Sequence, residues 1–272
     1  MNCRKGAGIC AEQLKLVSCF LGLALGAASA LGQPAGALDH SFNPGAGATG
    51  GSLVNINHVT TATNGQILAV GVFDQFAGVP APGLVLLNHD GSVDTDFRPT
   101  NRIVGAVGAF QADGKVLAGG ILSYGRFPSN RDGLVRFDSN GMVDTNFVAT
   151  TRPDDVVLSF ASRPDGKILV IGSFSVFDDI PRPRIAQIDA NGLLDPAFAP
   201  GKGVQIWTTN WTSGGTTFRV LNGGVHCVAL QSDGSAIVGG EFIAYADIPR
   251  LSIARVGLLG ELDASYDPAP AL

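Results

Sequence analysis

Past residue 19 the sequence holds a single cysteine, Cys227, so no internal disulfide can hold the rest of the chain together and a zinc–thiolate site is excluded. Histidine is nearly as scarce. His40, His58, His89 and His226 are the complete set, and none has the H-x-x-x-H spacing of a metal site. There is no G-x-S-x-G turn to present a nucleophilic serine and no phosphate-binding P-loop. His226-Cys227 looks like a Cys–His pair, but neighbours on a strand point to opposite faces, and Cys227 reads as a packed structural thiol. No catalytic residue, metal ligand or cofactor site is therefore assigned. Beyond the first thirty residues no stretch keeps the apolar period of an amphipathic helix, so almost no helix is expected there.

Those first thirty residues read differently from the rest. Arg4, Lys5 and Lys15 precede an apolar run from Leu16 to about Ala28, which ends at Ala28-Ser29-Ala30. This order of charge, apolar core and small residues is that of a secretory signal, expected to be removed over residues 1–30. Leu16-Val17-Ser18-Cys19 resembles a lipoprotein cleavage box, but the apolar core follows Cys19 instead of preceding it. The run is short for a membrane span, which needs roughly 20 apolar residues, and no second segment is long enough to be one. Without the leader the balance is 15 basic against 22 acidic residues, or −7. An acidic field of that size argues against nucleic acid as a partner. The expected location is secreted or at the cell surface.

What the sequence has in quantity is repetition. DGKVLAGGIL at Asp113 returns as DGKILVIGSF at Asp165 and DGSAIVGGEF at Asp233, and as NGQILAVGVF at Asn64. A second marker, LD-x-x-F in outline, starts at Leu38, Val93, Val143, Leu194 and Leu262, with gaps of 55, 50, 51 and 68 residues. The unit is therefore about fifty residues long, with an insertion in the last copy. The apolar runs after each Asp-Gly or Asn-Gly suit strands buried on both faces, and the dipeptides are hairpin-turn signals. Each unit reads as a meander of three or four antiparallel strands. The fold class expected is all-β: a β-propeller-like tandem of four blade units near 38–100, 101–150, 151–201 and 202–272, within a repeat domain spanning 31–272. Glycine pairs such as Gly119-Gly120 and Gly239-Gly240 suit close backbone approach. Five LD-x-x-F markers against four strand markers leave one copy over, which fits an open or incomplete ring.

The combination of QADGKVLAGG, the NG…VDTNF ending and the fifty-residue period resembles the bacterial delta-60 repeat proteins. That resemblance runs from Leu38 to about Asp267. It implies a propeller-like repeat of unknown function on a typically exported protein, and it carries no catalytic residues to transfer.

Two features break the repeat, and breaks are where function sits on a repetitive scaffold. The first is the insertion from Gly201 to Gly224. It holds both tryptophans, Trp207 and Trp211, with Asn210 between them, among Thr, Ser and Gly. Tryptophan in a polar loop can stack on a sugar ring or anchor a partner; it can also fold down and cap a blade edge. The second is the loop between the second and third strands, whose copies carry Arg126, Arg131, Arg182, Arg184 and Arg250. On one side of a ring these would form a basic cluster able to meet an acidic glycan or protein face, or they would pair with Asp178, Asp179 and Asp247. The repeated Asp94, Asp144, Asp195 and Asp263 are read as turn residues bonding their own backbone, not as calcium ligands.

These readings point to an exported, non-enzymatic repeat scaffold or binding module, with an extracellular glycan or surface protein as its expected partner. Two alternatives stay open at this point. One is a propeller-type hydrolase or lyase acting on polysaccharide. The other is a purely structural repeat of a larger surface protein.

Overall fold

A computed structural model of the chain describes residues 38–51, 53–99, 102–123, 131–147, 153–213 and 216–268. Among them every regular element is a strand. Four three-stranded antiparallel sheets follow one another. Blade one is Asn55–Thr61, Ile67–Val72 and Leu84–Leu87; blade two is Arg102–Phe110, Val116–Ser123 and Arg131–Phe137. Blade three is Val157–Ser162, Ile168–Gly172 and Ile185–Ile188; blade four is Val225–Leu230, Ala236–Gly240 and Ile253–Val256. In each, the second strand lies between the first and third. The LD-x-x-F marker adds only a single bridge to the third strand, as Leu87 pairs with Val93 and Val256 with Leu262. The all-β, four-bladed, open tandem expected from the repeat is the architecture found.

The buried second strands explain the markers that began the sequence reading. Ile168, Leu169, Val170 and Ile171 are all fully buried, because blades cover both of their faces. Hydrophobic clusters join one blade to the next: Leu68, Val70 and Leu84 with Val116, Ala118 and Val135, then Leu117 and Leu134 with Val157 and Phe160. Gly108 sits on this seam. A Cβ there would stand 2.6 Å from Val70 of blade one.

The Asp-Gly and Asn-Gly hairpin turns are three-residue loops. The Ala62 amide donates to the Gln66 carbonyl at 2.8 Å, and only Gly65 takes a positive φ, 86°. This is a type I turn closed by a left-handed glycine. Turns with two successive left-handed residues occur elsewhere, in a small hairpin between the second and third strands. There Asp178-Asp179 and Ala246-Asp247 hold φ values of 48–67°. In units one and four this hairpin pairs with the chain entering the same unit, Gln75–Phe76 with Ala48–Thr49 and Ala244–Tyr245 with Val204–Gln205.

The repeated marker aspartates hydrogen-bond their own backbone, as the sequence reading held. Each uses Oδ1 to accept the amide two residues on: Asp96 to Asp94, Asn146 to Asp144, Ala197 to Asp195 and Ser265 to Asp263. Oδ2 does a second job that gives DGK its lysine. Lys115 reaches Asp144 at 2.9 Å and Lys167 reaches Asp195 at 2.8 Å, while Gln66 reaches Asp94 at 2.9 Å. Third-strand side chains join them, Arg136 on Asp144 and Arg255 on Asp263. The carboxylate thus ties the start of the second strand, the third strand and the marker together.

Three of the markers also reach the next blade through the backbone. The amide after the marker aromatic donates to the second turn of the following unit: Asn43 to the Asp90 carbonyl, Arg98 to Asn140 and Ala199 to Leu259, all at 2.7–2.8 Å. Phe97, Phe147 and Phe198 are buried there. The fifth marker is thereby accounted for. The copy at Leu38 has no blade of its own and docks on blade one.

The glycine pairs divide their roles. A Cβ at Gly119 would press on Val157 and Phe160 of the next blade, at 3.1 and 3.2 Å. Gly240 instead faces its own first strand, where the register shifts between Val225 and Cys227, and a Cβ would overlap the Gly224 carbonyl oxygen. Gly240→Val is expected to destabilise the protein by about 3 kcal/mol, the upper end for overpacking, seen as a lower unfolding midpoint. An unchanged midpoint would show that the bulge relaxes freely.

Arg136 is 3% exposed, so Asp144→Asn would leave a buried guanidinium without its counter-charge while keeping the turn cap. A loss of about 3 kcal/mol is expected by denaturant unfolding. Acid should act on the same groups. The Lys115 hydrogen bond holds the Asp144 carboxyl below the usual range; burial opposes ionisation of Asp195, but Lys167 and Gln187 bonds outweigh it; Ser265 and Arg255 bring Asp263 down to about 2. A carboxylate with a depressed folded pKa stabilises the fold above its unfolded value and loses that contribution as pH falls through the folded one. Stability should therefore decline from about pH 4 toward pH 2, and Asp144→Asn should flatten part of that slope.

Candidate functional site

The insertion in the fourth unit is an antiparallel ribbon, Trp207–Ser213 paired with Thr216–Asn222, where the sequence suggested an irregular loop. The β-branched threonines on both sides of Gly214-Gly215 account for the strand character. Register places Trp207 opposite Asn222, Asn210 opposite Arg219 and Trp211 opposite Phe218. Trp207 and Trp211 are four residues apart, so strand parity assigns both positions to one face of the ribbon. Trp207, at the foot, is 64% exposed.

Beside that foot lies an open cleft of about 530 Å³. Its floor is apolar, with Val204, Ile206, Ile243 and Ala244, and its margins carry Lys202, Gln205, Thr208 and Asp247. Lys202 and Asp247 form an exposed ion pair at 2.7 Å, and Gln205 exchanges two 2.8 Å hydrogen bonds with Asp247. The Lys202 contact, then Gln205, holds the Asp247 carboxyl below its ordinary range. Sequence reading missed Lys202, Gln205 and Thr208 as site candidates. Their only signal was that they lie within the insertion, and the partner loop at Asp247 lies some forty residues on.

The arginines that the structure describes have separate partners. Arg126 lies outside the described residues, and Arg131 opens the third strand of blade two, paired with Leu122. Arg182 is half-buried and donates to the Pro181 carbonyl at 3.0 Å. Arg184 is buried, with Nη1 3.3 Å from the Val204 carbonyl at the cleft wall. Arg250 is buried too, on the carbonyls of Pro249 and Ala264 and near Asp267. Arg184 lines the cleft beside the ribbon, and Arg182 and Arg250 do not.

Other titratable groups serve packing. His58 is half-buried, and burial lowers its pKa, so the neutral ring can accept the Gly108 amide of blade two through Nδ1 at 3.4 Å. Cys227 is half-buried, with Sγ 3.7 Å from the Gly239 carbonyl, and exposed His226 is its chain neighbour. Among the described residues, no three His, Cys, Asp or Glu side chains form a group that could hold a metal ion. No helix among them is long and apolar enough to cross a membrane.

Blades in open series, each locked to the next by its marker, define a β-propeller-type repeat protein. A family model described as a β-propeller domain of unknown function, DUF5122, matches four times, at residues 62–97, 111–147, 163–198 and 231–266, and the chain belongs to that family. Each match runs from the first turn of a unit through its marker aromatic and leaves the ribbon out. No curated protein matches the chain.

Proposed function

We propose that this chain is an exported, non-enzymatic binding module of the delta-60 repeat type, and that its ribbon meets an extracellular glycan or surface protein. The observation that carries the reading is the exposed indole of Trp207 at the ribbon's foot, on the strand whose neighbouring residues Ile206 and Thr208 line the cleft. An exposed aromatic face can stack on a sugar ring, and amide, hydroxyl and carboxylate groups such as those at the cleft margin can hydrogen-bond sugar hydroxyls. The arginines are weaker support, since Arg184 and Arg250 spend hydrogen bonds on backbone carbonyls. A polysaccharide hydrolase or lyase would need acid and base groups converging on one pocket. The marker carboxylates are instead bound to their own turns and to neighbouring lysine and arginine side chains.

The test is a glycan and surface-protein binding screen with Trp207→Ala and Trp211→Ala. Both should weaken binding about tenfold or more, the loss of a hot-spot aromatic, with the unfolding midpoint nearly unchanged. Variants that unfold early yet bind normally would make the tryptophans packing residues.

Export rests on the charged, apolar, small-residue order of residues 1–30. N-terminal sequencing of secreted material should begin at or near Leu31. A read from Met1 would overturn this.

A further inference from the structure

The ends of the blade series carry the two halves of a junction that its interior forms repeatedly. At interior junctions the first strand turns Val157 and Val225 toward the preceding blade, opposite Gly172 and Gly240, and both are fully buried. Phe160, opposite Val170, is 7% exposed. The blade-one counterparts are Ile56, opposite Gly71, and Val59, opposite Ala69; they are 38% and 55% exposed. The middle of that face is already packed, with Ala69, Val85 and Leu87 clustered with Phe73 and Phe76. The open part is the first-strand margin.

Blade four shows the matching half. Leu68, Leu117 and Leu169 on the second strands are fully buried, whereas their counterpart Ile237 is only half-buried. The donor set of an interior junction is kept as well. In blade two, Arg136 holds Asp144, lies 4.8 Å over the Phe147 ring and donates Nη1 to the Ala190 carbonyl in the second turn of blade three. In blade four, Arg255 holds Asp263 in the same way and lies 5.5 Å over the Tyr266 ring. The residue of blade one in the position of Ala190 is His89.

Blade one's turn is filled by a substitute. The Asn43 amide makes the interior bond to the Asp90 carbonyl, but among the described residues no blade stands behind the Leu38 marker. Leu38 is 74% exposed and Phe42 38%, against 4% for Phe97 and Phe147.

We infer that blade four of one copy docks head to tail on blade one of a second copy. Tyr266 and its marker displace Leu38–Pro44 from the Asp90-Gly91 turn, and Val59 and Ile56 pack along the side of the incoming blade. A second copy is the occupant because the surface needed, with its strand spacing, marker aromatic and arginine donor, is the one this chain carries at its other end. The contact is heterologous, and two copies related by closure would make a ring of eight blades, within the usual propeller range of about 4–8.

Sedimentation of the full chain across a wide concentration range tests this, with Val59→Glu and Phe42→Ala beside it. The wild type should pass reversibly from one copy to two. Val59→Glu places a charge on the open margin and should move the transition at least about tenfold higher in concentration, with an unchanged unfolding midpoint. Phe42→Ala loosens the substitute marker and should move it lower. Should Val59→Glu lower the midpoint, Thr61→Glu, exposed on the same margin, reads the same contact. A wild type and Phe42→Ala that stay single throughout, or glutamate variants that associate like the wild type, would overturn the inference.

Discussion

A three-stranded sheet with apolar side chains on both faces is not stable alone in water, and the rest of this structure follows from that constraint. The second strands of blades one and three are buried along nearly their whole length, so a blade within the series must be covered on both faces. Face-to-face stacking does this with one repeated unit. It also sets where small residues fall. Gly108 and Gly119 allow the sheets to approach, while Gly240 serves a bulge that lets the first strand bend within its own blade.

Stacking by apolar contact alone would leave the angle between blades poorly defined. The markers supply direction. A marker aspartate caps its own turn with one oxygen and holds lysine, glutamine or arginine from two other strands with the second. The chain then runs on to give an amide to the following blade. One short motif closes its blade and orients the next, which is why it recurs so faithfully while the loops around it change. In blade four Ser235 replaces the lysine, and Arg255 carries the contact with Asp263.

Much of this was legible from sequence because it depended on local chemistry. The Asp-Gly turns, the doubly buried runs and the aspartate caps each need only neighbours in the chain. What could not be read depended on distant partners or on unusual backbone. The lysine of DGK gave no sign that it belonged to a carboxylate twenty-eight residues on, as Lys167 does to Asp195. The hairpins at Asp178-Asp179 and Ala246-Asp247 adopt left-handed turns without glycine, against the usual rule. The arginines nearby looked like a surface cluster because their sequence spacing was regular; burial and carbonyl bonding of Arg184 and Arg250 arise from packing that spacing does not reveal. At the candidate site the tryptophans stood out by composition, yet the ribbon that carries them was read as a loop.

The repeat also limits where recognition can evolve. A side chain present in every blade is committed to closing blades or joining them, and changing it would disturb several junctions. The fourth-unit ribbon carries no such duty. It lies outside the repeated core, its strands pair with each other, and Trp207 at its foot stays exposed. Affinity for a new partner can therefore be tuned on the ribbon with little cost to the stack. That separation, more than any single contact, is the physical reason to look for recognition there instead of along the conserved-looking glycine and aspartate turns.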